Sequence, residues 1–260
     1  YDALSKNLHI RHVLARHEQG AGFIAQGMAR VTGSPQVCFA TSGPGATNIL
    51  TAIADAKLDS VPVICITGQV PQFMIGTDAF QEVDTYGLSI PITKHNFLVR
   101  SAMELFHVIP EAFRIAASGR PGPVLIDLPK DVQTESVQVE SWPEPGRPDP
   151  SPVFSQEDVC RAADLINKAV RPVLCLGGGV INSGAGALAV RLADKASMPV
   201  ATTLMGLGAV PKSHPLSLGM LGMHAARYTN MILDECDVLV AAGTRFDDRA
   251  TGDAQQFCPE

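Results

Sequence analysis

The sequence predicts an α/β protein with two doubly wound parallel-sheet domains. Short apolar runs alternate with stretches of helical periodicity in residues 18–130, and the same alternation resumes from residue 155. This alternation is typical of parallel sheets that are covered by helices on both faces and bind ligands at the carboxyl ends of their strands. Residues 142–152 contain five prolines, which indicates an extended linker. We therefore expect domains at residues 1–132 and 155–260, a linker at 133–154, and a second domain that is truncated at its C-terminal end.

The individual elements follow one another as this fold requires. Apolar runs that end in turn residues predict strands, at residues 36–41, 61–67, 123–127, 171–176, 199–203 and 237–242. Helical spacing of apolar residues predicts helices, at residues 18–30, 48–57, 102–117, 185–195 and 225–233. Ser155, with Asp158 three positions later, predicts the start of a further helix.

Composition narrows the class of protein. The chain has 260 residues, of which 46% are hydrophobic and 18% charged, as expected of an α/β enzyme rather than a disordered or fibrous chain. The formal net charge of −6 gives no support for binding to nucleic acid or to a membrane. No stretch has the pattern of a secretory signal or a membrane-spanning helix.

The six cysteines and seven histidines show no metal-ligand spacing, so no metal site is predicted within the chain. Cys38, Cys65 and Cys175 lie in apolar strand-like runs, which indicates buried, reduced thiols of a cytoplasmic protein. His9, His12 and His17 are interpreted as polar positions on a helix.

Glu18 is the first candidate for chemistry. It is the only acid between Asp2 and Asp55, and it begins a predicted helix rich in small residues, namely Ala21, Gly22, Ala25, Gly27 and Ala29. Such a helix can approach another backbone or a flat ligand closely. We expect partial desolvation to raise the pKa of Glu18 toward neutrality, which would suit a proton-handling group. The alternative is a helix N-terminal glutamate that is favoured by the helix dipole.

Five blocks carry a family resemblance, at residues 16–30, 41–48, 67–71, 76–82 and 118–123. Together they resemble the catalytic subunits of the acetolactate synthase (acetohydroxyacid synthase) family of thiamine-diphosphate enzymes, and the bacterial biosynthetic members most closely. The resemblance implies a pyrimidine-binding domain followed by a Rossmann-like central domain associated with FAD. It also implies decarboxylative joining of pyruvate to pyruvate or 2-oxobutyrate, in the synthesis of branched-chain amino acids.

The resemblance assigns roles in the first domain. Glu18 matches the glutamate that hydrogen-bonds the aminopyrimidine of thiamine diphosphate, and Pro44 and Asn48 match residues that lie against the pyrimidine. Phe80 and Gln81 match the substrate side, with Gln81 as a hydrogen-bond donor. Lys94 matches a basic residue near the entrance of the active site. Taken alone, Gln81 and Lys94 are better explained as ordinary loop residues, and only their place within the matched blocks favours a functional role.

In the second domain, a glycine triplet at residues 177–179 follows a predicted strand, but the dinucleotide fingerprint is incomplete because Asn182 occupies the position of its third glycine. A tight turn is the alternative. The resemblance nevertheless implies FAD contacts, from Arg120, Gly177, Gly178, Gly179, Thr203, Leu204, Leu221, Gly222, Met223, His224, Gly243, Thr244, Arg245, Asp247 and Arg249. Arg120 belongs to the first domain, so the flavin is expected between the domains. A surface ion-pair cluster is the alternative for Arg245, Asp247 and Arg249.

Part of the family pattern is missing. No Gly-Asp-Gly segment occurs, so the Mg²⁺ ligands and diphosphate site of the complete enzyme are expected outside this chain, which is then inactive by itself. The resemblance further implies a homodimer or homotetramer with its active site at a subunit interface, and a small regulatory subunit. Three alternatives stay open: a pyruvate oxidase, another thiamine-diphosphate decarboxylase, and a non-catalytic flavin-binding or assembly module. Glyoxylate carboligase is disfavoured because it lacks a glutamate at the position of Glu18.

Overall fold

A computed structural model describes residues 2–259. Over that range the chain forms eleven α-helices and eight β-strands, which are arranged in two four-stranded parallel sheets. The chain divides into two compact units after Ser151. None of the described helices is both long and apolar enough to cross a membrane.

The first unit contains six helices and four strands. The helices are α1 (Asp2–Lys6), α2 (Glu18–Thr32), α3 (Pro44–Leu58), α4 (Thr85–Ser89), α5 (Leu105–Ala117) and α6 (Lys130–Thr134). The strands are β1 (Gln36–Ala40), β2 (Val63–Gln69), β3 (His95–Leu98) and β4 (Val124–Pro129). Their order in the sheet is β1-β2-β4-β3, and most residues of the central strands β2 and β4 are buried, as in a parallel sheet that is covered on both faces.

Small residues allow α2 and α3 to pack closely on one face of this sheet. A Cβ atom added at Gly22 of α2 would lie 2.6 Å from the Cβ of Ala52 in α3. Ile49 and Ile53 of α3 are fully buried against β1 and β2. On the opposite face, α5 buries its apolar stripe against β2 and β4.

The second unit contains five helices and four strands. The helices are α7 (Gln156–Lys168), α8 (Gly178–Asn182), α9 (Gly186–Ala196), α10 (Arg227–Asp234) and α11 (Asp248–Thr251). The strands are β5 (Pro172–Leu176), β6 (Val200–Thr202), β7 (Ser217–Met220) and β8 (Val238–Ala242), in the sheet order β7-β6-β5-β8. The direction in which successive strands are added reverses between β5 and β8, and ligands of open α/β sheets bind at such a point.

The predicted α/β class with two parallel sheets is confirmed. All six predicted strands are present, while the short strands β3 and β7 were not predicted. Ser155 caps α7 as predicted, because its side chain accepts a hydrogen bond from the backbone N–H of Asp158 at 3.4 Å. Helix α6 continues to Thr134 and residues 135–155 form no helix or strand. The predicted domain limits at 1–132, 133–154 and 155–260 stay a prediction.

The histidine interpretation is wrong. Residues 7–17 form no helix, and His17 is instead the N-cap of α2, where its Nδ1 accepts a hydrogen bond from the N–H of Gln19 at 3.1 Å. The predicted burial of thiols is confirmed for Cys38, Cys65 and Cys175, whereas Cys160 on α7 is exposed.

Candidate functional site

The carboxyl edge of the first sheet brings together Glu18 and the residues that follow β1. Asn48 donates from Nδ2 to Oε2 of Glu18 at 3.2 Å. A Cβ atom added at Gly45 would lie 3.4 Å from Oε1 of Glu18 and 2.7 Å from Cγ2 of Thr41. Pro44 is the first residue of α3, where its lack of an N–H carries no penalty. The Glu18 carboxylate therefore lies against the beginning of α3, within one turn of Pro44 and Asn48.

Gln81 belongs to the same edge. Gly43 has a φ of 61°, and a Cβ atom there would lie 2.7 Å from the backbone oxygen of Gln81 and 2.8 Å from its Cα. Gln81 itself has a φ of 60°, a left-handed conformation that is uncommon for a residue with a side chain. The loop that carries Gln81 is thus pressed onto the turn before Pro44, and the neighbouring Phe80 is 88% exposed.

The expected rise in the pKa of Glu18 is wrong for this chain. The pKa is lowered, chiefly because the carboxylate accepts a hydrogen bond from its own backbone N–H and then because Asn48 donates to it. Burial opposes this shift but is slight, since the side chain is half-exposed. Of the small residues of α2, Gly22, Ala25 and Ala29 are buried with residues of α3 and Gly27 is exposed, so they do not enclose the carboxylate.

A buried acid behind this edge was missed by sequence reasoning. Asp127 of β4 accepts hydrogen bonds from Thr67 Oγ1 at 2.7 Å and from Gln69 Nε2 at 2.9 Å. Burial raises its pKa to about 6, although both hydrogen bonds lower it. The only sequence signal is one acid at the end of the apolar run 123–127, which carries no spacing information.

Lys94 does not lie with Glu18 and Gln81. It precedes β3 at the amino edge of the sheet, and its Nζ donates to the backbone oxygens of Ile115, at 2.5 Å, and Ser118. Burial lowers its pKa. Arg120 lies at the same edge and donates from Nε to Ser60 Oγ at 2.7 Å. Both line a cleft of about 490 Å³.

Two basic residues that sequence reasoning did not single out do lie at the carboxyl edge. Arg100 follows β3 and Lys130 follows β4, and both are exposed. Their position after strands was the available signal.

In the second unit, the glycine triplet joins the loops after β5 and β8. The N–H groups of Gly177 and Gly179 donate to the backbone oxygens of Ala242 and Gly243, both at 2.9 Å. A Cβ atom at Gly177 would lie 2.2 Å from the Gly243 oxygen, and one at Gly178 would lie 3.0 Å from Met205 Cβ. The glycines are therefore required for close packing of two loops where the strand order reverses.

The loops after β6 and β7 complete this edge. The N–H of Thr203 donates to the Leu176 oxygen at 2.9 Å, and Leu204 follows it at the surface. The N–H of Met223 donates to the Arg249 oxygen at 3.0 Å. The other residues expected to contact FAD that follow β7 and β8 lie at the same edge, namely Leu221, Gly222, His224, Gly243, Thr244, Arg245 and Asp247.

The charged groups at this edge are arranged around the start of α11. Asp247 caps α11 by accepting a hydrogen bond from the Ala250 N–H at 3.1 Å, and it pairs with Arg245 at 2.6 Å. The side chain of Arg249 is 68% exposed. Apolar side chains are also exposed here, among them Leu204, Met223 and Phe246. Arginines beside exposed apolar groups suit a flat ligand that carries anionic groups.

The described residues offer no cluster of side chains that could bind a metal ion. Within residues 2–259, no group of three or more His, Cys, Asp or Glu side chains could hold a metal ion.

Comparison with known proteins identifies two family domains in the chain. Residues 1–88 match the family described as "Thiamine pyrophosphate enzyme, N-terminal TPP binding domain". Residues 159–260 match "Thiamine pyrophosphate enzyme, central domain".

Individual relatives align with the whole chain. It is 66% identical over 259 residues to the acetolactate synthase isozyme 1 large subunit of Escherichia coli K12, covering 100% of this chain and 46% of that protein. It is 51% identical over 265 residues to the probable acetolactate synthase large subunit of Methanocaldococcus jannaschii, covering 100% and 45%. For the acetolactate synthase large subunit IlvB1 of Mycobacterium tuberculosis, the identity is 54% over 265 residues, covering 100% and 42%. The chain therefore spans about half the length of the curated relatives it matches.

Proposed function

The chain belongs to the thiamine pyrophosphate enzyme family, and from that premise we propose that it supplies the pyrimidine-binding and central parts of an acetolactate synthase large subunit. The proposed reaction is the decarboxylative joining of pyruvate to pyruvate or 2-oxobutyrate in branched-chain amino-acid synthesis. The observation that carries the proposal is the Glu18 carboxylate, which is held by Asn48 beside Gly45 at the carboxyl edge of a parallel sheet.

The residues at this edge fit an aminopyrimidine. When bound, thiamine diphosphate supplies the carbon nucleophile that decarboxylation of a 2-oxo acid requires. Glu18 would hold a proton at a ring nitrogen of the pyrimidine, Asn48 orients the Glu18 carboxylate, and Pro44 would contact the ring. A flat ligand over the half-exposed carboxylate would remove water from it and raise its pKa, opposite to the present shift. Glu18 is thus ionised before the ligand arrives and becomes a proton carrier once it is covered.

Gln81 and Phe80 serve the substrate in this proposal. The amide of Gln81 donates to the carboxylate or the developing alkoxide of the 2-oxo acid, from a backbone conformation that Gly43 supports. Phe80 offers an exposed apolar ring beside it. Lys94 faces the other edge of the sheet and is left out of this proposal.

FAD is the second cofactor that we propose, bound at the carboxyl edge of the second unit. Arg245 and Arg249 suit its diphosphate, while Leu204 and Met223 suit its apolar rings. The expected contact of Arg120 with the flavin stays a prediction, and within the first unit its Nε donates to Ser60 Oγ. The groups that bind Mg²⁺ and the diphosphate of thiamine are assigned to the part of the complete subunit that this chain does not include.

We also propose a cytoplasmic homodimer or homotetramer with its active site at a subunit interface. The relatives are named large subunits, which supports a small regulatory subunit as partner. The polypeptide required for activity is then a subunit about twice as long as this chain.

The test of the proposed function is Glu18→Gln in that complete subunit. The amide cannot exchange the proton, so formation of the 2-aceto-2-hydroxy acid should fall at least about 100-fold, while folding and FAD content stay unchanged. Deuterium exchange at the thiazolium carbon of the bound cofactor should slow in parallel.

Glu111→Gln is the matched control, because Glu111 is also a half-buried carboxylate with a lowered pKa but lies on α5 with Arg114 as its partner. It should change activity less than about twofold. An exchange rate in Glu18→Gln equal to that of the unmodified subunit would remove Glu18 from the proposed mechanism.

A further inference from the structure

Asp127 is an acid that the proposed chemistry does not use, although it lies directly behind the site. It is 1% exposed and stands opposite Thr67 in the register of β4 with β2. Its two carboxylate oxygens accept from different donors, Oδ1 from Thr67 and Oδ2 from Gln69. An ionised carboxylate accepts such bonds without itself needing an acceptor.

Gln69 connects this acid to the loop of Gln81. Its Nε2 donates both to Oδ2 of Asp127 at 2.9 Å and to the backbone oxygen of Val83 at 2.8 Å, while its Oε1 accepts from the Val70 N–H at 2.9 Å. All hydrogen-bonding atoms of the amide are therefore in use. Val83 lies two residues after Gln81, and its oxygen also accepts from the Thr85 N–H at 2.8 Å.

The loop needs this support because of its backbone conformation. Asp78 and Gln81 have φ values of 55° and 60°, in the left-handed region that disfavours side chains. Such residues persist only where the surrounding structure holds them. Gly43 supports Gln81 from one side by direct contact, and the hydrogen bond from Gln69 to Val83 supports it from the other.

We propose that Asp127 is a positioning residue, which acts through Gln69 and Val83 to hold the Gln81 amide where a 2-oxo acid binds. The proposal rests on the proposed function, because that function assigns substrate binding to Gln81. Asp127 itself touches neither substrate nor cofactor.

Protonation of Asp127 weakens this connection. Thr67 and Gln69 face the carboxylate from β2 as donors, and a protonated carboxyl would present a donor of its own to them. Two titratable groups also face it, the Cys65 thiol of β2 and Asp84, the N-cap of α4. Burial and the charge of Asp84 raise the pKa of Asp127 to about 6. The hold on the loop is therefore half lost at about pH 6, is restored as the pH rises above that value and weakens further below it.

The experiment compares Asp127→Asn with Thr67→Val in the complete subunit. Asp127→Asn should raise KM for pyruvate about tenfold with a smaller change in kcat, the loss expected when one positioning hydrogen bond fails. It should also abolish the acid limb of kcat/KM near pH 6. Thr67→Val removes the other hydrogen bond of Asp127 but leaves Gln69 in place, so KM should change less than about twofold. Its acid limb should persist and move to higher pH, because a hydrogen bond that lowers the pKa is lost.

A second measurement is independent of activity. Hydrogen–deuterium exchange over residues 79–89 should be faster in Asp127→Asn and in Gln69→Met, by about tenfold, and unchanged in Thr67→Val. A variant that carries both Asp127→Asn and Gln69→Met should exchange no faster than the faster of the two single variants, because both changes break the same connection.

The possible outcomes distinguish a failure of the proposed role of Asp127 from a failure of the proposed function. If Asp127→Asn matches Thr67→Val in KM, pH profile and exchange, the positioning role is overturned. If the unmodified subunit makes no 2-aceto-2-hydroxy acid, the proposed function is overturned, and the exchange data still decide whether Asp127 holds the loop.

Discussion

The two units share an all-parallel architecture but place their polar groups differently. Behind the carboxyl edge of its sheet the first unit buries Asp127, Gln69 and Thr67 in one connected network. Among the described residues of the second unit, Thr202 and Thr229 are the only buried polar side chains. At the corresponding edge this unit has arginines and exposed apolar side chains. The same fold thus supports a buried polar network beside a strained loop in one unit, and an edge with arginines and exposed apolar side chains in the other.

The glycine residues also have different structural roles in the two units. In the second unit, Gly177, Gly179 and Gly243 allow two loops to touch backbone to backbone. In the first unit, Gly43 supports a strained glutamine, whereas Gly27 on α2 has no atom within 4 Å of an added Cβ. The comparison predicts that one substitution, Gly to Ala, has opposite consequences at different positions.

The largest expected effect is that of Gly177→Ala. The new Cβ would lie 2.2 Å from the Gly243 oxygen, which belongs to backbone and cannot rotate away. The unfolding free energy of the second unit should fall by about 3 kcal/mol or more, and FAD absorbance should be lost from the complete subunit. Denaturant unfolding followed by near-UV circular dichroism measures the first effect. A variant as stable as the unmodified chain would show that the loops separate without penalty.

The next effect concerns Asp127 and the pH. Its folded pKa of about 6 lies above its ordinary value of 3.8, so the stability that it contributes is present below pH 3.8 and is lost as the pH rises through 6. Relative to Asp127→Asn, the unfolding free energy of the unmodified chain should decline by about 2 to 3 kcal/mol between pH 4 and pH 7. Urea titrations of both proteins at five pH values test this. A difference that is constant with pH would mean that the carboxylate is not desolvated.

The smallest effect is that of Gly27→Ala in α2. Gly27 is exposed in the interior of a helix and an added methyl group meets open space, so the change should stabilise the purified chain by about 1 kcal/mol. Thermal unfolding of this variant beside Gly177→Ala provides the sharpest contrast. A destabilised Gly27→Ala would contradict the open space around Gly27 on which the prediction rests.

Most strands of the two sheets could be predicted because they are apolar runs that end in turn residues. The strands that were missed lack that signal. Strand β3 (His95–Leu98) begins with two polar residues, and β7 (Ser217–Met220) contains Gly219 at a φ of 79°. Both lie at sheet edges, where burial imposes less of a pattern.

The site was predicted less completely, for physical reasons. Sequence order indicated that Glu18 and Asn48 belong to neighbouring blocks, but it could not show which way the small residues of α2 face, so the sign of the pKa shift of Glu18 was wrong. Asp127 was missed because its proposed role arises from groups on two other segments, the side chain of Gln69 and the backbone oxygen of Val83. Nothing in the local sequence of Lys94 indicates that its ammonium group binds the end of α5.

The distribution of thiols makes the two units separately observable. Cys38 and Cys65 are buried in the first unit, and Cys175 and Cys236 are buried in the second. A bulky thiol reagent can reach these groups only when the surrounding core opens, so labelling rates under fast reclosing report the opening free energy of each core. Cys160 on the exposed surface of α7 provides an internal reference for reagent activity. Mass spectrometry of labelled peptides would therefore map where along the chain any substitution acts, without an added probe.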